Sequence, residues 1–383
     1  MTDLTRPIIG IALNAHAHDL THADLHATPY TPDYWLTVTR LAESAGVDFV
    51  SLGDAYAAED RAGRIHLDAS LLASRLAAQT DRIGIIASAI VNFTEPFHVS
   101  TAISTLDYVS AGRAGLELVV PSAHDAQRVA EHSGGDIYGL PVADRDALFR
   151  DADDAARAIR RLWDSWEDDA EIRDVATGRF VDATKLHYVD VKGEYFSVKG
   201  PSIVPRPPQG QPVVAVTATD VHGAALAARQ ADVVFLAARD DTHLTQLLHA
   251  VRAAAADIER PIALRVVLDI AVSFEPDAAG WSSAGWAAPL IDSPSALTSS
   301  NASLDAIQRF DDTPLALASY INRWRELGVD GFRLHPYMAL QDTETIAHQV
   351  LPQVSTGADA GTLRDRLGLP VARNRYATGG SPA

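Results

Sequence analysis

The sequence predicts an α/β fold, a (β/α)8 TIM barrel with loop insertions. Short β-branched apolar runs alternate with longer amphipathic segments from end to end. Eight such runs can be counted, and 383 residues leave room for eight βα units and extra loops. The competing architecture, an open doubly wound sheet, follows its first strand with a glycine-rich turn. Here Leu13 runs into Asn14-Ala15-His16, which cannot approach a pyrophosphate closely.

Taken in order, residues 8–13 form the first strand, and Thr31-Pro32 opens a helix that ends near Gly46, with proline at the first helical position. Strands follow at 47–52, 83–87 and 114–120, separated by helices at 67–79 and 99–109. A long helix spans 144–166, and 174–208, rich in Gly, Pro and aromatic residues, is an excursion with hairpin character. The alternation resumes with strands at 213–216, 233–236, 262–272 and 331–334, between helices at 221–229, 244–256 and 315–327. Residues 1–372 make a single domain, with a loop insertion at 275–303 placed as a lid, and 373–383 is expected to be a disordered tail.

Thirty-two Lys and Arg against 50 Asp and Glu give a formal charge of −18, which argues against nucleic acid and anionic membrane surfaces as partners. No apolar run approaches the ~20 residues of a membrane span, and the N-terminus lacks a signal-peptide pattern, so a cytoplasmic location is expected. Without cysteine there is no disulfide, thiolate nucleophile, iron–sulfur cluster or cysteine-ligated zinc.

In a barrel the site lies at the carboxyl ends of the strands. His16 and His18, two apart after the first strand, point the same way and, with His22 and His26 nearby, invite comparison with a metal-dependent hydrolase. The further histidines and the aspartate that such a site needs at later strand ends are missing, so the favoured reading is a polar loop with His16 facing the mouth. Asp54, Ser88, Glu117, Ser122 and the run Thr217-Ala218-Thr219-Asp220 stand at strand ends, and Asp220 also suits a helix N-cap. Asp107 and Arg113, flanking Ser110-Ala111-Gly112, read as structural.

Several strings go beyond periodicity. Glu95-Pro96-Phe97, and residues 106–115 reading LDYVSAGRAG, resemble the luciferase-like flavin monooxygenases. Residues 162–170 (LWDSWEDDA), 193–201 (GEYFSVKGP) and 206–213 (RPPQGQPV) are similar to the nitrilotriacetate and dibenzothiophene-sulfone monooxygenase branch. The resemblance implies a luciferase-like barrel, a homodimer or homotetramer, that takes reduced FMN from a separate flavin reductase and uses O2 to oxidise a small organic substrate. His16, facing the mouth, is the catalytic candidate and no metal is expected, while the resemblance points to Asp54, Ser88, Glu117, Phe149, Thr217, Ala218, Thr219 and Asp220 as cofactor-binding positions.

At those positions the chain departs from the pattern. Ser88 stands for Thr, Glu117 for Asn, Phe149 for a phosphate-binding Tyr, and 217–220 for Ala-Gly-x-Ser. Asp220 beside a phosphate dianion repels it by ~1 to 4 kcal/mol depending on local dielectric. Besides the monooxygenase, a flavin-free barrel acting as a binding or partner subunit and a deazaflavin-dependent dehydrogenase remain open.

Overall fold

The structure is a computed structural model that describes residues 4–13, 15–16, 30–54, 64–65, 67–133, 139–258, 260, 264–274, 307–354, 357 and 361–377. Eight parallel strands close on themselves: β1 (Ile8–Leu13), β2 (Phe49–Leu52), β3 (Gly84–Ile90), β4 (Ala114–Val119), β5 (Val213–Ala218), β6 (Val233–Leu236), β7 (Arg265–Val272) and β8 (Gly331–Pro336). Each pairs with the next in sequence, and β8 returns to β1 with Ile8 opposite Gly331. The ring of eight strands has no open edge, which excludes the doubly wound alternative. A short strand, Gln308–Phe310, adds to the carboxyl end of β7.

Around the barrel lie α1 (Pro32–Ser44), α2 (Ala69–Ala77), α3 (Pro96–Val109), α4 (Ala123–Ser133), α5 (Arg145–Asp164), α6 (Val221–Gln230), α7 (Asp241–Asp257) and α8 (Pro314–Asn322). Proline starts α1, α3 and α8, where a missing N–H costs nothing. Small and branched residues at helical spacing, Ala152, Ala155, Ala156 and Ile159, bury one face of α5. Helix α4 was not foreseen in the sequence. Its buried apolar residues among those described are Ala126, Val129 and Ala130, too narrow and too small a stripe to stand out.

The barrel interior is layered. Ile8, Phe49, Ile86, Val213, Val233 and Val267 form an apolar layer that meets Leu363, Leu367 and Leu369 of the C-terminal segment at the amino end. Gly10 faces Phe49, and a Cβ there would lie 2.2 Å from the ring, so glycine is what lets the ring reach across the barrel. Further along the strands, inward positions toward the carboxyl end are Ser51, Ser88, Glu117, Thr217, Asp269 and Arg333. This upper layer is polar.

At the amino end, Asp48, Asp232 and Asp330 precede β2, β6 and β8. Each accepts a backbone N–H from an adjoining strand, from Ile9, Val214 and Val266 respectively, at 2.8–2.9 Å. Each also faces an arginine: Arg6 at 2.8 Å, Arg160 at 2.9 Å and Arg265 at 3.5 Å. Asp107 accepts from the Gln209 backbone and side chain and from Ala114 N. Arg113 donates to the carbonyls of Ala77, Thr80, Ile83 and Ser110. Both are structural, as the sequence indicated.

The excursion begins at Glu171 and comprises two antiparallel ribbons, Glu171–Asp174 with Arg179–Val181 and Val191–Lys192 with Ser197–Val198. It packs on α5 through Ala158, Leu162, Val189, Val191 and Val198. The expected lid at 275–303 lies outside the described residues. The expectation of a disordered tail from 373 is corrected over residues 373–377. Asn374 is buried and donates to the carbonyls of Asp164 and Trp166, and Tyr376 stacks on His187 with ring centroids 4.3 Å apart. The cause is the exit of α5, whose last carbonyls have no intrahelical donor and take the Asn374 amide instead. Residues 378–383 lie outside the described residues. Among the described residues no helix is long and apolar enough to cross a membrane.

Candidate active site

The polar layer below the barrel mouth is organised by Arg333 on β8, which is fully buried. Its Nε and one terminal nitrogen donate to the two oxygens of Asp269 on β7, both at 2.7 Å. The other terminal nitrogen donates to Glu117 Oε2 on β4 at 3.0 Å, and Thr217 Oγ1 accepts at 3.2 Å from the terminal nitrogen that binds Asp269. Ser88 donates to Glu117 Oε2 at 3.1 Å and Thr217 to Oε1 at 2.7 Å. The guanidinium carbon sits 3.7 Å from the centroid of Phe235 on β6, a cation–π contact made in a site sealed from water.

Burial opposes every charge in this layer, and pairing decides the outcome. Burial pushes the Asp269 carboxyl up, but Arg333 and then His335 outweigh it and hold it below the usual range. Arg333 feels the same penalty, and Asp269 and Glu117 raise its affinity for the proton above the ordinary value. His335, two residues along β8, lies 3.3 Å from Asp269, and burial pulls its imidazole down. The imidazole is therefore neutral, beside a permanently charged guanidinium.

Sequence reasoning missed Arg333, Asp269 and His335. A signal existed: charged residues interrupt otherwise apolar barrel strands, and Arg333 and His335 share one face at a spacing of two. Ser88, Glu117 and Thr217, reached from the sequence, are indeed brought together. Glu117 is fully buried in the barrel interior, paired with Arg333. The arginine opposite supplies the charge that lets a carboxylate be buried there.

The other candidates sit higher. Asp54 is buried just beyond β2. His16 lies in a two-residue strand, Ala15–His16, paired antiparallel with Arg64–Ile65; nothing is described of its side chain, and His18, His22 and His26 lie outside the described residues. Thr219 and Asp220 lead from β5 into α6. As the sequence indicated, Asp220 is the N-cap: Oδ1 accepts from His222 N at 2.9 Å and Gly223 N at 3.1 Å. Its other oxygen pairs with Arg145 at the start of α5. The Phe149 ring lies under Arg145, 5.6 Å from it, and tilts against His222 at 5.5 Å. Asp146 faces His222 Nδ1 at 3.4 Å.

The same device recurs around the mouth. Asp68, Glu95, Asp144, Asp220 and Asp240 cap α2, α3, α5, α6 and α7, each side chain accepting a first-turn N–H. Gly223 fixes how close α6 comes, since a Cβ would lie 2.9 Å from Ala218 Cα and 3.1 Å from Thr217 O. Beside the mouth, a cavity of about 190 Å³ opens among Asn92, Glu95, Asp151, Tyr195 and Phe196. Asn92 donates to Asp151 at 2.9 Å, and burial raises the Asp151 carboxyl to about 6. Ligand pockets commonly run from about 300 Å³, so this cavity suits a group smaller than a flavin.

Comparison with known proteins connects this barrel to others. The family model for luciferase-like monooxygenases matches residues 12–348. An N-acetyl-S-(2-succino)cysteine monooxygenase from Bacillus subtilis (strain 168) is 33% identical over 231 residues, 60% of this chain and 51% of that protein. A dibenzothiophene-sulfone monooxygenase from Rhodococcus erythropolis is 32% identical over 234 residues, 57% of this chain and 50% of that protein, in line with the branch implied by the strings at 162–170, 193–201 and 206–213. The chain thus spans about half the length of the curated relatives it matches. Among solved structures, a riboflavin lyase crystallised with modified FMN and riboflavin superposes with a TM-score of 0.79 at 23% identity, covering 96% of this chain and 97% of that one, which shows the shared fold.

Proposed function

Because the chain belongs to the luciferase-like monooxygenase family, we propose that it is a flavin-dependent monooxygenase of the two-component kind, using reduced flavin from a separate reductase and O2 to oxidise a small organic substrate at the barrel mouth. The observation that carries this reading is the extent of the family match, from β1 to the helical turns after β8. In such a reaction the flavin supplies the oxygen chemistry, and the protein supplies a dry, oriented pocket. His16 is the catalytic candidate, and Asp54, Ala218 and Thr219 are the positions lining the flavin. The same reading makes the protein a cytoplasmic homodimer or homotetramer.

The phosphate of FMN, however, does not fit the residues present. The α6 amides that would face it already bind the Asp220 carboxylate, Arg145 is engaged by the same carboxylate, and Phe149 offers no hydroxyl. This favours a second reading, a flavin-free barrel that serves as a partner subunit. Oxygen and reduced-flavin consumption with a flavin reductase, across small sulfonates, amines and aromatic sulfur compounds, separates the two. Substrate-dependent product at catalytic turnover supports the monooxygenase. No turnover, no retained flavin and stable association with a second luciferase-like chain support the partner subunit.

A further inference from the structure

We infer that the flavin accepted by this protein lacks the 5′-phosphate, a riboflavin-type ligand with a neutral ribityl tail, and that Asp220 with Arg145 is the determinant that discriminates against FMN. The inference rests on the flavin-dependent reading above and specifies its ligand.

A phosphate dianion at a barrel mouth needs free N–H groups at helix N-termini or unengaged cations. Here both are supplied and both are consumed by the chain. At α6, Asp220 Oδ1 takes the two first-turn amides, and Oδ2 takes the Arg145 guanidinium. At the adjacent start of α5, Asp144 takes the amides of Asp146 and Ala147. Asp146 faces the remaining cationic candidate, His222. Three carboxylates thus stand against one arginine and one histidine where the two helices meet. Displacing Asp220 to admit a phosphate would uncap α6 and leave a carboxylate beside the incoming dianion.

The scaffold of the subsite is nonetheless intact. Gly223 still lets the first turn of α6 ride on Thr217 and Ala218, and the Phe149 ring still faces that turn. A polyol tail asks for less: hydroxyls donate to the outer lone pairs of carboxylates and lie against an aromatic face without desolvating a dianion. Carboxylate caps on five helices extend the same bias around the mouth. The subsite keeps its shape and reverses its electrostatic preference.

The test is a titration of the full-length protein with riboflavin and with FMN, each oxidised and dithionite-reduced under anaerobic conditions, followed by calorimetry or flavin fluorescence. Riboflavin is expected to bind at least about tenfold more tightly than FMN in the same redox state, about 1.4 kcal/mol. Asp220→Ser, which keeps a capping oxygen and removes the charge, should tighten FMN by a similar factor and leave riboflavin within about twofold. Asp220→Asn, with unchanged circular dichroism, is the second variant and should act in the same direction. FMN binding as tightly as riboflavin, or folded variants that leave FMN affinity unmoved, overturns the inference while the flavin-dependent reading stands. Binding of neither flavin overturns both.

Discussion

The two ends of the barrel solve one problem, buried charge, in different ways. At the amino end, Asp48, Asp232 and Asp330 each accept a backbone N–H as well as facing an arginine, Asp107 takes the Gln209 and Ala114 backbone amides beside the Gln209 side chain, and Arg113 is satisfied mainly by carbonyls. In the upper layer, Arg333, Asp269, Glu117, Thr217 and Ser88 are satisfied by one another's side chains. Backbone partners exist whatever the neighbouring residue is, so the backbone half of each amino-end lock survives substitution elsewhere. Side-chain partners are contingent, and each residue depends on the identity of the rest. The amino end is robust, and the upper layer is specific.

The sharpest way to break the contrast is Arg333→Met, which leaves two carboxylates buried without their cation. A loss of about 3–5 kcal/mol in urea unfolding is expected. Next comes the pH response of the amino end. Burial, against the opposing Gln209 and Ala114 amides, raises the Asp107 carboxyl from 3.8 to about 6. Between those values the folded protein keeps a proton that the unfolded chain has lost, so stability falls as pH rises through that window and stays lower above it. Asp107→Asn should remove that share, about 2 kcal/mol, from the difference between the unfolding free energies at pH 4.5 and pH 7.

Asp48→Asn keeps an oxygen for Ile9 N and loses the charge opposite Arg6, so about 1–2 kcal/mol is expected. Asp269→Asn, made beside it, should cost clearly more; equal costs would erase the distinction between the two ends. The smallest effect is expected from Asn374→Ala, about 1 kcal/mol, read as a lower melting temperature together with faster proteolysis between residues 166 and 208.

The same contrast explains what was legible in the sequence. All eight barrel strands were readable because a buried parallel strand is a largely apolar run, and the LDYVSAGRAG turn was readable as a string although Asp107 and Arg113 find partners 30 to 102 residues away. Asp220 was readable as a cap because its backbone partners lie two and three residues away. Arg333 was not, because its partners lie 64 and 216 residues away and only barrel closure brings them together. Glu117 could be found as a departure from its family, but without its counter-ion it reads as a defect. Asn374 was lost among Gly, Ser, Pro and Ala, a composition that marks disorder until one amide finds the end of α5.

The position of Arg333 near the end of the chain also bears on how the protein is made. Glu117 leaves the ribosome 216 residues before its counter-ion and Asp269 leaves 64 residues before it. At ~5–20 residues per second, Glu117 waits about 10–40 s for its partner. Nascent chains that end before β8 hold two carboxylates that cannot be buried, so they stay open to water at their inner face. Translation therefore sets the moment of closure, and a ribosome stalled before residue 333 carries a chain without a sealed interior.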